Sequence, residues 1–157
     1  MEIAIYSDKH KEGVVKLIND IQELEFGRHS KSGRPDLYRI GEVYQKNRGN
    51  FWIALDDDKV VGTIGLSDYG KGMGYLERFY VAKELRRQGL GSKLFSILLK
   101  FAEDNKYKEI FLSTHDDKVA AKSFYLKNGF KRINSLPDDY PCAIDEIFYK
   151  LDLRGSE

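Results

Sequence analysis

Val14, Leu17, Ile18, Ile21 and Leu24 recur at steps of three and four residues, the spacing of one helical face. The stripe predicts a helix that stops near Phe26-Gly27, preceded by a short strand at Ile3, Ile5 and Tyr6. A basic, turn-rich stretch from Arg28 to Arg34 follows. Pro35 suits the first turn of a second helix through Leu37, Ile40, Val43 and Tyr44. The pattern then changes to apolar runs. Phe51–Leu55 and Val60–Leu66, separated by Asp56-Asp57-Asp58-Lys59, predict a β-hairpin, and Tyr75–Val81 predicts a third strand. Helical spacing returns over Gly91–Asn105, with Leu94, Phe95, Leu98, Leu99 and Ala102 on the buried face. Glu109–Thr114 reads as a strand and Asp117–Asn128 as a helix, with Asp116 or Asp117 as N-cap and Gly129 at its C′ position. Two last strands are expected near Phe130–Asn134 and Ala143–Leu153.

The order is β-α-α-β-β-β-α-β-α-β-β. The strand–helix–strand run in the second half calls for parallel pairing there, and the hairpin before it for antiparallel pairing. The expected fold is α/β: one domain over residues 1–157, with a mixed, mostly antiparallel sheet and helices on both faces. Residues 154–157 are expected to fray.

Composition removes several functions. Of 157 residues, 41% are hydrophobic and 13% aromatic, enough for a packed core. Lys and Arg number 26 against 25 Asp and Glu, so no global field draws in nucleic acid or an anionic membrane. No apolar run reaches the ~18 residues of a membrane span, and the opening residues do not read as a secretory signal. Cys142 is the single cysteine, so neither an internal disulfide nor a thiolate zinc cage is expected. An intracellular, cytoplasmic protein follows as the expectation. His10, His29 and His115 lie far apart and read as surface histidines, and the triple aspartate reads as a solvated hairpin tip, so no metal is expected.

The informative stretch is Leu76 to Phe95. A strand ends at Val81, a loop carries Arg86-Arg87-Gln88-Gly89-Leu90-Gly91, and an amphipathic helix begins at once. The first turn of a helix offers unpaired N–H groups and the positive end of its dipole, and glycine before it allows close approach. Such a turn suits a pyrophosphate. Neither the Walker spacing nor the dinucleotide fingerprint is met, and a glycine-containing loop without a ligand is the alternative.

Val81 to Gly91 resembles the signature of the GNAT (Gcn5-related) N-acetyltransferases, whose acetyl-CoA loop reads R/Q-x-x-G-x-G/A. Arg86, Gly89 and Gly91 satisfy it. Ala121-Lys122-Ser123-Phe124-Tyr125-Leu126-Lys127-Asn128-Gly129-Phe130 resembles the family's second signature, and the resemblance spans Ile3 to Leu153. It implies the GNAT fold and acetyl transfer from acetyl-CoA to a primary amine by direct attack. A CoA-binding regulator of the same fold without turnover is the alternative.

The resemblance also implies where the site lies. The pantetheine arm would pair with backbone of Phe79, Tyr80 and Val81. The pyrophosphate would take backbone N–H groups from Arg87, Gln88, Gly89, Leu90 and Gly91, with Arg86 and Ser92 close by. The sheet would splay between the Tyr75–Val81 and Glu109–Thr114 strands. Tyr125 stands at the family's usual acid position, and homodimers are common among members. Two positions depart from the pattern: Lys118 stands where Asn is frequent, and Tyr75 where many members carry a glutamate. Glu77, on the same strand face as Tyr75, is then the candidate base. Arg28 and Arg34 on one side, and Asp138-Asp139-Tyr140-Pro141 on the other, are candidate contacts to a small-molecule or peptide amine, and leave its charge open.

Overall fold

The computed structural model describes residues 1–137 and 146–153. Seven strands form one sheet in the order β1-β2-β3-β4-β5-β7-β6. β1 (Glu2–Ile5), β2 (Asn50–Asp56), β3 (Lys59–Asp68) and β4 (Met73–Val81) run antiparallel, each to its neighbour. β5 (Glu109–His115) lies parallel to β4, and β7 (Glu146–Asp152) enters antiparallel between β5 and β6 (Lys131–Ile133). The mixed, mostly antiparallel α/β architecture expected from the element order is therefore present.

Strand alternation sorts the core onto two faces. Trp52, Ala54, Leu76, Ile110 and Leu112 pack with Leu94, Phe95 and Leu98 of α3 (Leu90–Asp104) and with Tyr125 of α4 (Val119–Lys127). Phe51, Ile53 and Leu55 pack on the other face with Val14 and Ile18 of α1 (Lys11–Asp20) and with Leu37, Ile40 and Tyr44. Further along this face, Tyr75 and Phe111 stack at 5.4 Å and pack with Leu136.

The first helical run stops near Phe26-Gly27 as expected, although its last turn, Ile21–Glu25 after α1, is π-helical and Gly27 leaves it at φ 63°. Two local expectations are corrected. The second helix is broken. Pro35–Tyr38 form a 3-10 turn, Arg39 departs from helical geometry at φ −138°, and α2 spans only Ile40–Val43. Asp116 and Asp117 do not cap α4. The N-cap position is Lys118, because Asp117 is drawn to Arg28 at 2.7 Å and Asp116 to Lys122 at 2.6 Å. Gly129 takes the expected C′ role at φ 94°. The start of the last predicted strand, Ala143–Asp145, and the tail 154–157 lie outside the described residues.

The feature that positions the site is a β-bulge in β4. Gly65 pairs with Glu77 and Thr63 with Tyr80, so two steps on β3 face three on β4. Arg78 absorbs the extra residue at φ 53°, and the Thr63 hydroxyl donates to its carbonyl at 2.7 Å. The Arg78 guanidinium then donates two bonds to Asp36, at 2.9 and 2.8 Å, and the Tyr44 hydroxyl donates a third at 2.6 Å. Burial alone would raise the Asp36 carboxyl, but the bonds from Arg78 outweigh it and hold it below the ordinary range.

Asp36→Asn is expected to cost about 2–4 kcal/mol at pH 7, because it leaves a half-buried guanidinium unpaired. A depressed carboxyl contributes stability above its unfolded pKa, about 3.9, and loses it as pH falls through the lower folded value. The gap between wild type and variant in denaturant unfolding should therefore close on acidification.

Candidate functional site

β4 and β5 pair over only three positions, Met73, Gly74 and Tyr75 with Glu109, Ile110 and Phe111. Beyond them the strands part, and the gap between Leu76–Tyr80 and Ser113–His115 is a slot of about 290 Å³. A second chamber of about 350 Å³ lies between Phe26, Val81 and the start of α4. Phe79, Tyr80, Lys118 and Ala121 line both.

The two sides of the slot differ in chemistry. Leu76 and Phe79 face α3 and α4, where the Phe79 ring packs edge-on against Phe124 at 5.4 Å. Tyr125 is 6% exposed, packs on Phe130 at 5.5 Å and lines the slot. Its burial, and then the proximity of Tyr80, push the phenol pKa upward, so it stays protonated and keeps a proton to donate. The opposite side is polar. Glu77 lines the slot on the face of Tyr75, and its charge helps raise the Tyr69 phenol after burial does so. Ser113 donates to Glu146, which lies directly across from His115 in the β5–β7 register. The Tyr80 hydroxyl accepts from Gln22 at 2.7 Å. Tyr75, the position at which the resemblance led to the expectation of a glutamate, is 1% exposed and stacks on Phe111.

His115 is half-buried and lines the slot, which corrects its reading as a surface histidine. Burial, followed by Arg28, lowers its pKa from the ordinary 6.5, with Lys118 adding to the effect and Glu146 and Asp117 opposing it. The imidazole is neutral near pH 7 and able to accept a proton. Ser113, His115 and Glu146 were missed from the sequence. The signal was the period of two along β5, which puts Ser113 and His115 on one face.

The α3 N-terminus is built as an open cradle. Arg87 turns at φ 64° and Gly89 at φ 85°, immediately before Leu90 opens the helix. Gly89 is the N-cap residue, no side chain caps the turn, and a Cβ on Gly89 would meet nothing within 4 Å. The first intrahelical bond runs from Lys93 N–H to Gly89, at 3.1 Å, so the N–H groups of Leu90, Gly91 and Ser92 precede the ladder. Arg87, Gln88 and Ser92 are exposed around them, and Gln88 donates to the Glu84 carbonyl at 3.2 Å. A Cβ on Gly91 would touch Phe79 at an ordinary 3.6 Å.

Three of the basic side chains near the site, Arg86, Arg34 and Arg28, are already engaged. Arg86 donates to Glu25 at 2.6 and 2.8 Å and to the Val81 carbonyl at 2.9 Å, so its charge is not free for a phosphate. Arg34 is 8% exposed, and its guanidinium holds Asn19 at 2.8 Å and the Arg28 carbonyl at 2.7 Å. It ties the loop to α1 and lines neither chamber. Arg28 pairs with Asp117, which lines the second chamber. Residues 138–141, the other candidate acceptor contact, lie outside the described residues.

The model of the Acetyltransferase (GNAT) family matches residues 15–130. The chain belongs to this family. N-acetyltransferase 8 of Homo sapiens is 35% identical over 103 residues, covering 62% of this chain and 45% of that protein. The chain spans about half the length of the first curated relatives it matches. A solved acetyltransferase of the GNAT family from Staphylococcus aureus superimposes with a TM-score of 0.92 at 31% identity, covering 98% of this chain and 99% of that one. PaiA N-acetyltransferase from Thermoplasma acidophilum, solved in complex with coenzyme A, shares the fold at a TM-score of 0.77 and 19% identity, over 97% of this chain and 99% of that one.

The electrostatics of the slot are open to direct measurement. By proton NMR, His115 should titrate below about 6.5. Arg28→Gln should raise that value part of the way, since burial, the larger cause, remains.

Proposed function

We propose that the chain transfers the acetyl group of acetyl-CoA to a primary amine by direct attack in a ternary complex. One observation supports this most: the slot where the sheet parts has a buried phenol on its helical side and acid–base groups on its other side, and its neighbouring chamber reaches the β4–α3 loop. In this reading the pyrophosphate takes the N–H groups from Arg87 to Ser92, including Gln88, Gly89, Leu90 and Gly91. The pantetheine arm pairs with Phe79, Tyr80 and Val81 along the edge that β5 leaves uncovered. Arg86 serves the loop by bracing it against Glu25 and contributes no free charge.

The acceptor enters from the polar side. An ordinary alkylamine, with a pKa of about 10.4, is neutral in only about one part in a few thousand at pH 7. Glu77 takes the proton that must leave. The nitrogen lone pair then forms the C–N bond, and collapse of the tetrahedral adduct breaks the C–S bond. Tyr125 donates to the departing thiolate, whose charge is poorly solvated in a narrow slot. The acceptor is a small molecule or a peptide amine. A cytoplasmic setting fits a chain with one cysteine.

Thiol release from acetyl-CoA across a library of polyamines, amino acids, aminoglycosides and peptides tests the reaction. Silence throughout, with coenzyme A still bound, would leave a CoA-binding regulator. Gly89→Asn tests the loop: asparagine tolerates the left-handed turn yet carries side-chain atoms into the cradle. Affinity for coenzyme A should fall about tenfold or more while the melting temperature barely moves. Unchanged affinity in calorimetry would refute the loop site. Tyr125→Phe keeps the ring and removes the hydroxyl. Turnover should fall about 100-fold with coenzyme A affinity within about threefold of wild type. Wild-type turnover would leave Tyr125 as a packing residue.

A further inference from the structure

Lys118 lies at the point where the two chambers meet and lines both of them. Its side chain is half-buried, and it folds over two aromatic rings instead of reaching into solvent. Its Nζ sits 5.1 Å from the centroid of Phe26 and 5.3 Å from that of Tyr80, within the range at which a ring face attracts an ammonium. Asp117, the adjacent carboxylate, is committed to Arg28 at 2.7 Å. The lysine is therefore held by rings, a contact that does not consume its hydrogen-bond donors. Tyr125 lines the same slot, as does His115, the imidazole that lies within electrostatic reach of Lys118. A primary amine on a four-carbon arm thus shares one slot with a proton acceptor and a proton donor.

We propose that Lys118 is an internal acceptor, whose Nζ takes an acetyl group from acetyl-CoA bound in the same slot. The proposal rests on the acetyl-CoA reading of this site. The step balances without a further reactant. His115 takes one proton from the ammonium, and the freed lone pair forms the N–C bond to the thioester carbonyl. The C–S bond breaks as the adduct collapses. Tyr125 donates its proton to the leaving sulfur and recovers the second proton of the nitrogen. The products are an acetamide at Lys118, coenzyme A as the free thiol, and a proton on His115. The amide carries no charge, so it gives up the hold on Phe26 and Tyr80 and vacates the acceptor side of the slot.

Peptide mass spectrometry of the full chain incubated with acetyl-CoA tests this, with exposed Lys131 in the same sample reporting purely chemical acetylation. Lys118 should gain its acetyl group at least about tenfold faster than Lys131 in the folded protein, and no faster after heat denaturation. Tyr125→Phe should slow Lys118 and leave Lys131 as it was. An acetyl group already on Lys118 in the protein as purified, and absent from the Tyr125→Phe protein, is the same result. Equal labelling of the two lysines would overturn the proposal. A calorimetric titration with coenzyme A separates the causes. Binding without preferential labelling overturns the internal acceptor alone, and absence of binding overturns the acetyl-CoA reading together with it.

Discussion

Between Glu77 and Tyr80, β4 carries one residue more than β3 can pair, and Arg78 takes up the excess in a left-handed conformation that costs a non-glycine residue about 1 kcal/mol or more. The cost is offset locally. Thr63 holds the Arg78 carbonyl, and the Arg78 side chain reaches Asp36 through two bonds. The bulge increases the twist of β4 where it must part from β5. It also anchors the 3-10 turn at Pro35–Tyr38 to the middle of the sheet. The opening in the sheet and one wall around it thus share a cause: a single inserted residue with a side chain long enough to tie the two together.

The charges around that opening follow from the same economy. Arg28, Arg34 and Arg86 lie in a stretch of sequence or a motif that suggests free cations, yet each is spent on tertiary contacts that span 89, 15 and 61 residues. These pairs brace the loop after α1 against α4, α1 and the β4–α3 turn. Among the described residues, the charged or basic side chains that line the slot are Glu77, Arg78, His115, Lys118 and Glu146, beside the phenols of Tyr80 and Tyr125. The polar side is therefore mixed in sign, with the cations held on rings or shielded and the imidazole kept neutral by its surroundings.

How much of this was legible from the chain depends on the range of the interaction. The helical stripe of α3, the hairpin at Asp57-Asp58 and the glycine after α4 rest on contacts between near neighbours, and each stands where its pattern puts it. The R-x-x-G-x-G loop is likewise local: Gly89 supplies the left-handed turn that opens α3. The break at Arg39 was not legible, because apolar spacing continues through it while the backbone yields to the pull of Arg78 on Asp36, 42 residues away. The N-cap of α4 failed for a similar reason, since Asp117 has a choice between the helix and a guanidinium that arrives from residue 28. Arg34 has no local feature that marks it as buried. Its partners on α1 come within reach only after the loop closes.

The three-residue ladder between β4 and β5 divides the sheet into unequal folding units. β2, β3 and β4 connect through short turns and can form early, whereas β5 reaches β4 only by a long connection through α3, a closure with a larger entropic cost. The second unit, β5 with β7 and β6, docks along a seam that has few backbone hydrogen bonds to hold it. A molecule lying in the slot touches both units at once. Its binding energy then acts as a staple across the docking step, raising the barrier to separation of the halves more than it stiffens either half.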